Sequence, residues 1–215
     1  MPPIQLLTLL IAGTDTTSTT LAACLWEIAN DCQLQKELYQ EVAECALDLN
    51  SLSLEDVMNE FPRLYSLLFE VLRCKGPAPF FFLEPNEPVE IQGQVLNPGT
   101  IICALTRSLG EKAASEIPLG PNSEGPEQFC PWRWLASGQS ITQPTNRYGG
   151  YMPFGNGVRV CPGSSMAKAE AITVLFSILR RFEIAPIANH PLVRRVARFT
   201  VTFDDEIQLA LKPRL

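Results

Sequence analysis

Apolar residues recur at helical spacing along four parts of this chain. Residues 4–29 predict one long helix, and residues 33–47 have the pattern of an amphipathic helix. Residues 62–74 predict a third helix, because a proline occupies the position of its first turn. Residues 164–182 predict another. These four segments indicate a chain that is mainly helical.

Short alternating segments predict a small amount of β-structure. Residues 89–91 and 94–96 flank the turn dipeptide Gln92-Gly93 and predict a hairpin. Near the C-terminal end, residues 199–203 and 207–211 predict two strands that pair with each other. The chain is therefore expected to combine its helices with a small sheet.

Three further segments have less regular patterns. Residues 100–105 predict an extended segment, and residues 110–131 predict an irregular meander because they are rich in Gly, Pro and Ser. The three consecutive phenylalanines at 80–82 are expected to lie in the core, since aromatic residues after a buried helix are more often packed inside. The alternative is that they line a substrate pocket.

Composition narrows the possible functions. The 215 residues include 46% hydrophobic residues, enough for a sizeable core, and the net charge of -6 argues against nucleic acid as a partner. The sequence contains no run of eighteen apolar residues, so it predicts no membrane-spanning helix. Seven cysteines without Cys-x-x-Cys spacing and a single histidine, His190, argue against structural zinc. With no secretion signal, reduced thiols in a cytosol-facing compartment are expected.

One cysteine lies in a glycine-rich loop, Phe154-Gly-Asn-Gly-Val-Arg159-Val-Cys161-Pro-Gly163. Glycines let backbone approach a large, flat ligand closely, and the Cys161 sulfur can ligate a metal. Phe154 can flank such a ligand, while the guanidinium of Arg159 suits a carboxylate. The alternative is that Cys161 is an inert, buried thiol, as most lone cysteines are.

Ten residues of this loop match the haem-binding signature of the cytochrome P-450 superfamily, Phe-x-x-Gly-x-Arg-x-Cys-x-Gly, at every fixed position. The chain therefore resembles a haem-thiolate monooxygenase. The resemblance implies the cytochrome P-450 fold, mainly α with a small β-sheet. It implies a haem b cofactor, iron protoporphyrin IX, with Cys161 as the axial thiolate. The other residues that it places at the cofactor are Phe154, Gly155, Arg159 and Gly163.

A second motif, Ala12-Gly13-Thr14-Asp15-Thr16, interrupts the first predicted helix. Glycine followed by hydroxyl residues is a poor helix centre, so a local bulge is predicted there. The segment resembles the oxygen-activating helix of the superfamily. By that resemblance Ala12 and Gly13 face the haem, Asp15 belongs to the proton-delivery route, and the Thr16 hydroxyl steadies bound dioxygen. A kinked but inert helix with a solvated carboxylate is the alternative.

Glu70 and Arg73 lie three residues apart, on one face of the third predicted helix. They match the Glu-x-x-Arg element of the superfamily, which is buried and joined by a second arginine, here Arg133. This triad is expected to be a scaffold without a chemical step. Trp132 stands where the superfamily usually has an acidic residue, so a polar contact is expected to be missing.

The resemblance covers nearly all 215 residues as a single partial domain, the C-terminal half of a usual cytochrome P-450. The half that carries a membrane anchor, the substrate roof and a propionate-binding helix is expected to be missing. The implied partners are dioxygen, a small apolar organic substrate and an external electron donor, either an NADPH reductase or a ferredoxin. Family resemblance, with the anchor absent, implies the endoplasmic reticulum membrane.

Two other functions remain open at this point. The chain can be a truncated, non-catalytic haem-binding fragment, because a fragment keeps its motifs. It can also be a haem-thiolate isomerase or dehydratase that uses no external electrons. Relatives of that kind often alter the acid-threonine pair, and the intact Asp15-Thr16 argues against this possibility.

Overall fold

The computed structural model describes residues 3–45, 57, 60–116, 125–138, 151–188, 193–198 and 200–214. Among these residues, three α-helices are followed by four short strands, and the remaining helices are followed by four more strands. The helices are α1 (Pro3–Asn30), α2 (Cys32–Glu44), α3 (Pro62–Lys75), α4 (Thr106–Glu116) and α5 (Ser164–Arg181). Two 3₁₀ helices, Pro131–Gly138 and Gly157–Arg159, lie between α4 and α5.

The core lies where α1, α2, α3 and α5 pack on one another. Apolar side chains at helical spacing meet there, and burying each one stabilises the fold by about 1.5–3 kcal/mol. The fully buried ones include Cys24, Ile28, Leu38, Leu67, Ile172 and Leu175. Helix α3 crosses the middle of this core, since every residue from Leu64 to Val71 is buried.

Capping contacts set where α2 and α3 begin. Asp31 Oδ1 accepts hydrogen bonds from the backbone N–H groups of Gln33 and Leu34, both at 2.9 Å, which starts α2. No side chain of α3 caps its own N-terminus. Instead Glu41 of α2 accepts from the N–H groups of Arg63 at 2.7 Å and Leu64 at 3.0 Å. The carboxyl group of Glu41 therefore joins the two helices.

The strands form four antiparallel pairs in the described part of the chain. The strands are β1 (Phe80–Leu83), β2 (Val89–Ile91), β3 (Gln94–Leu96), β4 (Ile102–Leu105), β5 (Phe182–Pro186), β6 (Arg195–Ala197), β7 (Val201–Phe203) and β8 (Leu209–Pro213). Strand β1 pairs with β4, β2 with β3, β5 with β8, and β6 with β7. The β2–β3 turn has positive φ at both Gln92 and Gly93, as a tight hairpin requires.

The predicted fold class is confirmed, as are the four long helices to within a few residues at their ends. Residues 46 and 47, the predicted end of the second helix, lie outside the described residues. The hairpin at Gln92-Gly93 and the extended segment before Leu105 are also confirmed. The β-structure consists of separate pairs where one sheet was expected.

The bulge predicted near Gly13 is wrong, because α1 is an unbroken α-helix from Pro3 to Asn30. The Thr16 hydroxyl donates to the Ala12 carbonyl at 2.7 Å, and the Thr20 hydroxyl donates to the Thr16 carbonyl at 2.8 Å. Such bonds to the preceding turn satisfy hydroxyl groups without opening the helix.

The predicted pairing of the two terminal strands is also wrong. Residues 201–203 fold back onto β6 through a turn in which the Arg198 N–H donates to the Thr200 carbonyl at 2.8 Å. Strand β8 pairs instead with β5, which directly continues α5. A local hairpin and a five-residue ladder replace the expected single pair.

Two further expectations fail for tertiary reasons. The start of the predicted meander is helical, since Gly110, Ala113 and Ala114 of α4 are buried against neighbouring elements. A Cβ at Gly110 would lie 2.8 Å from Arg73 Cγ, so glycine permits this close approach. The phenylalanines at 80–82 are not core residues, because Phe80 and Phe82 are 44% and 63% exposed. Residues 117–124 of the meander lie outside the described residues.

Candidate functional site

The loop around Cys161 is folded back on itself by its own backbone. The Cys161 N–H donates to the Phe154 carbonyl at 2.9 Å, and the Val160 N–H donates to the Gly157 carbonyl at 3.2 Å. Gly155 and Gly157 have φ of 75° and 68°, which residues with a side chain rarely adopt. Gly157 occupies the fixed glycine of the ten-residue signature, yet it was not among the predicted site residues. Its left-handed backbone shows why glycine stands there.

The cysteine is followed directly by the N-terminus of α5. The Ser164 N–H donates to the Cys161 carbonyl at 3.2 Å, and the Ala167 N–H donates to the Gly163 carbonyl at 2.8 Å. A Cβ on Gly163 would approach Cys161 Sγ to 3.9 Å, so glycine leaves space beside the sulfur. The thiol is half-buried. Backbone turns thus hold the sulfur at a partly open position before a helix.

The side chains beside the sulfur differ in their surroundings. Phe154 is half-buried, and the Lys168 ammonium lies 5.8 Å from the centre of its ring. Burial lowers the pKa of Lys168. Arg159 is exposed, and its guanidinium has no hydrogen-bonding or ionic partner among the described residues. An exposed guanidinium of this kind is available to an external carboxylate.

The donor chemistry of this loop fits a haem. In the part of the chain that the structure describes, no cluster of three or more His, Cys, Asp or Glu side chains could hold a metal ion. A porphyrin binds iron through its own nitrogens, so a haem would need few ligands from the protein, and the Cys161 sulfur could be one of them. The exposed valines at 158 and 160 add apolar surface to the same loop.

The structure places the predicted oxygen-activating residues on the more exposed half of α1. Ala12 and Gly13 are exposed, and a Cβ at Gly13 would meet nothing within 4 Å. Asp15 and Thr16 are half-buried. Among the described residues, no hydrogen bond joins these four residues to the cysteine loop. The side chain of Asp15 instead accepts a hydrogen bond from the hydroxyl of Thr200.

Glu70, Arg73 and Arg133 meet in the core. All three are buried, with exposed fractions of 0%, 3% and 4%. Arg73 Nε and Nη2 donate to the two Glu70 carboxylate oxygens at 2.9 and 2.6 Å, and Arg133 Nε donates to Oε1 at 3.1 Å. Both arginines also donate to the Gln128 carbonyl. The triad therefore fixes the irregular segment before Pro131 against α3.

Opposing effects act on the ionisation of Arg73. Burial alone would lower the pKa of this guanidinium, because the charged form loses water. Hydrogen bonds from Arg73 to Glu70 and the negative charge of that carboxylate outweigh burial and raise the pKa. The buried Arg73 guanidinium therefore stays charged.

Two aromatic residues missed by sequence reasoning complete this centre. Trp134 Nε1 donates to Glu70 Oε2 at 2.9 Å, and the Tyr151 hydroxyl donates to the Phe69 carbonyl at 2.7 Å. The rings of Trp134 and Tyr151 are 4.6 Å apart. Burial raises the pKa of Tyr151 well above its usual value. Tyr151 begins the segment that leads to Cys161, so these rings connect the triad to the cysteine loop.

Trp132 takes the position where an acidic residue was expected. Its side chain is half-buried and packs against the hydrophobic core. The backbone N–H of the next residue, Arg133, donates to the Cys130 carbonyl at 3.2 Å. Apolar packing therefore takes the place of the polar contact at this position.

Comparison with known proteins identifies several relatives. The cytochrome P450 family model matches residues 4–195. Mitochondrial sterol 26-hydroxylase of Oryctolagus cuniculus is 30% identical over 209 residues, which is 95% of this chain and 37% of that protein. Mitochondrial 25-hydroxyvitamin D-1 alpha hydroxylase of Homo sapiens is 29% identical over 208 residues, covering 96% of this chain and 38% of that protein. The chain thus spans less than two fifths of the length of these relatives.

A bifunctional cytochrome P450/NADPH--P450 reductase of Gibberella moniliformis (strain M3125 / FGSC 7600) is 27% identical over 189 residues, covering 87% of this chain and 16% of that protein. The expectation of endoplasmic reticulum residence has no support, since several relatives carry the word mitochondrial in their names. In the described part of the chain, none of the helices is long and apolar enough to cross a bilayer.

The crystal structure of a cytochrome P450, CYP102L1, has the same fold. Its TM-score is 0.79 at 24% identity, and the match covers 98% of this chain and 45% of that one. Because the family model also matches residues 4–195, the chain belongs to the cytochrome P450 family.

Proposed function

We propose that this chain is the haem-binding part of a monooxygenase that inserts one atom of dioxygen into an apolar organic substrate. One observation carries the proposal: the half-buried Cys161 thiol is held by glycine turns just before α5. Family membership supports it, and relatives named as hydroxylases agree with the reaction class.

Residues of the cysteine loop would hold a haem b group. Cys161 Sγ would ligate the haem iron, and the backbone of Gly155 and Gly163 would lie close to the ring. Phe154 would pack beside it, and Arg159 would pair with a propionate carboxylate. When bound, the haem supplies an iron that activates dioxygen, with electron density from the thiolate favouring O–O cleavage.

The exposed face of α1 would serve the opposite side of the cofactor. Ala12 and Gly13 are small and exposed, which leaves room for a flat ligand and for dioxygen. The Thr16 hydroxyl now donates to the Ala12 carbonyl and can turn to a ligand, because a hydroxyl rotates freely. Asp15 would pass protons from solvent, since its carboxylate is only half-buried.

The buried Glu70 centre takes no chemical step in this proposal. Its role would be to hold the segment before Cys161 in place, through Arg73, Arg133 and the aromatic contacts of Tyr151. The whole of residues 1–215 would act as one partial cytochrome P450 domain. A loss of this centre would therefore disorder the cysteine loop before it affected any reacting group.

Electrons and substrate would come from outside the chain. The relative that joins a cytochrome P450 to an NADPH reductase suggests a reductase as donor, and a ferredoxin is the other candidate. Sterol-type compounds are the first substrates to test, because relatives are named sterol 26-hydroxylase and vitamin D hydroxylases. Apolar side chains such as Phe80 and Phe82 are exposed and available to an apolar molecule.

Haem binding without catalysis is the second candidate. Six large apolar residues in the first part of α1 are about half exposed or more, so no described residue packs over this surface. They are Ile4, Leu6, Leu7, Leu9, Leu10 and Ile11. A chain whose substrate pocket is open on this side would bind haem but would hold a substrate poorly.

The carbon monoxide difference spectrum of the reduced, haem-supplied chain tests the proposal. Thiolate ligation through Cys161 is expected to give a strongly red-shifted Soret band. Cys161→Ala should abolish that band. The matched control is Cys45→Ala, because Cys45 is also half-buried but lies at the end of α2. A shifted band that survives in Cys161→Ala would overturn the assignment, and a band without product would favour haem binding alone.

A further inference from the structure

The carboxylate of Asp15 is held by a residue from the far end of the chain. Thr200 Oγ1 donates a hydrogen bond to Asp15 Oδ2, across 185 residues of sequence. Thr200 is buried, at 8% exposure, whereas Asp15 is half-buried. Asp15 Oδ1 accepts no hydrogen bond from any described residue. One carboxylate oxygen is therefore anchored while the other is open.

Thr200 is itself fixed by the β6–β7 hairpin, whose turn it occupies. The Val201 N–H donates to the Pro77 carbonyl at 2.8 Å. Arg195 Nη2 donates to the carbonyls of Lys75 and Gly76 at 2.5 and 3.0 Å. These bonds attach both strands of the hairpin to the chain just after α3. The hydroxyl of Thr200 is therefore carried on a rigid support and not on a free loop.

A second contact joins the same hairpin to α1. The Thr19 hydroxyl donates to Thr202 Oγ1 at 3.4 Å, and Thr19 is buried at 4% exposure. Asp15 and Thr19 are four residues apart, so they lie on one face of the helix. Thr200 and Thr202 are two residues apart in the hairpin. The two contacts together fix the hairpin along the helix.

We propose that Thr200 is a positioning residue for Asp15, and this inference rests on the proton-delivery role proposed above. With Oδ2 engaged by the Thr200 hydroxyl, the carboxyl cannot rotate freely about its side-chain torsions. Proton exchange is then confined to Oδ1. A proton leaves from that atom toward the site and is replaced at the same atom from solvent, so no other reactant is needed. An oxygen atom that is held in place reaches the geometry for proton transfer with a smaller loss of entropy.

The first test asks whether Thr200 and Asp15 interact, and it needs no turnover. Thr200→Val removes the donor at similar volume, and Thr200→Ser keeps it. Denaturation midpoints of the full chain are measured for both variants, with Asp15 present and in an Asp15→Ala background. We expect Thr200→Val to lower the midpoint only where Asp15 is present, and Thr200→Ser to restore most of it. Equal losses in both backgrounds would overturn the proposal.

The second test follows the reaction of the haem-loaded chain with an electron donor and with a substrate that the chain hydroxylates. Thr200→Val should raise the fraction of electrons that form peroxide several-fold, and it should shift the pH dependence of this fraction. Thr200→Ser should resemble the parent chain. Thr202→Val is the matched control, because it contacts Thr19 and not Asp15. A pH profile unmoved by Thr200→Val would overturn the positioning role. If the parent chain forms no product, the proposed function fails, and the denaturation test alone decides whether Thr200 positions Asp15.

Discussion

The indole N–H of Trp134 donates a hydrogen bond to Glu70 Oε2 at 2.9 Å, in the interior of the protein. The same oxygen accepts from Arg73 Nε at 2.9 Å. The other oxygen, Oε1, accepts from the Cys130 N–H at 2.8 Å and from Arg133 Nε at 3.1 Å. A fully buried carboxylate is tolerated here because several donors surround it. Trp134 thus adds a neutral donor to the charged triad.

Replacing Trp134 with Phe should destabilise the chain through one lost donor. Hydrogen bonds to charged groups contribute about 1.5–3 kcal/mol, and a loss in this range is expected in the free energy of unfolding. The measurement is chemical denaturation. Trp132→Phe is the matched control, because Trp132 lies in the same 3₁₀ helix without a hydrogen-bonding partner for its indole among the described residues. Equal losses in both variants would show that ring volume, and not the hydrogen bond, matters at Trp134.

Neutralising Glu70 should have a much larger effect. Glu70→Gln leaves Arg73 and Arg133 buried without their counter-charge, and breaking a buried pair in this way costs about 3–5 kcal/mol. Glu111→Gln removes the partner of an exposed pair with Arg107, for which about 0–1 kcal/mol is expected. Thermal or chemical unfolding of the two variants compares these losses. Similar small losses would show that the triad is not a scaffold.

The pH dependence of stability should contain a contribution from Glu41. Burial raises the pKa of Glu41 to about 7, although the N–H groups of Arg63 and Leu64 act in the opposite direction. The unfolded chain releases this proton near pH 4.5, so the folded state holds it over a range in which the unfolded state does not. The stabilisation that protonated Glu41 gives the folded state is fully present below pH 4.5 and is lost as the pH rises toward 7.

Glu41→Gln should remove this pH dependence. Between pH 4.5 and 7 the free energy of unfolding of the parent chain should fall by up to about 3 kcal/mol more than that of the variant, since each pKa unit corresponds to 1.36 kcal/mol. Denaturant titrations at several pH values measure both curves. Parallel curves across this range would contradict the burial of an uncharged carboxyl at the start of α3.

Two glycines should respond in opposite ways to alanine. Gly13→Ala should stabilise the haem-free chain by about 0.5–1 kcal/mol, because α1 is a regular helix and the added methyl meets nothing. Gly157→Ala should destabilise it by about 1–2 kcal/mol, because its φ is 68°. Unfolding measurements distinguish the two effects.

Haem titration of the same Gly13→Ala chain tests its proposed place in the site. If Gly13 faces the haem, the added methyl occupies space that the flat ligand needs, so haem affinity should fall while stability rises. The control is Ala22→Gly in the same helix, which should lower stability and leave haem affinity unchanged. Unchanged affinity in Gly13→Ala would remove Gly13 from the haem face.

Local sequence patterns were sufficient to predict most of the helices and the turn at the cysteine loop. Helical spacing of apolar residues predicted α1, α2, α3 and α5, because each buries one face and its periodicity is visible within a few turns. The ten-residue signature placed Cys161 in a glycine turn before α5. Such features depend on neighbours in the chain, so they can be recognised without the fold.

Contacts between distant residues could not be predicted in this way. The bond from Thr200 to Asp15 joins residues 185 apart, and the helix at Gly110 depends on close packing against Arg73. Strand β8 pairs with β5 and not with its neighbour in sequence. Hydrogen-bonding partners and close packing of this kind arise only when the core brings distant segments together, and no spacing in the sequence records them. The glycine turn at Cys161 was therefore predictable from nearby residues, and the family resemblance supplied the triad of Glu70, Arg73 and Arg133. The contacts of Thr200 with Asp15 and of Trp134 with Glu70 required the folded chain.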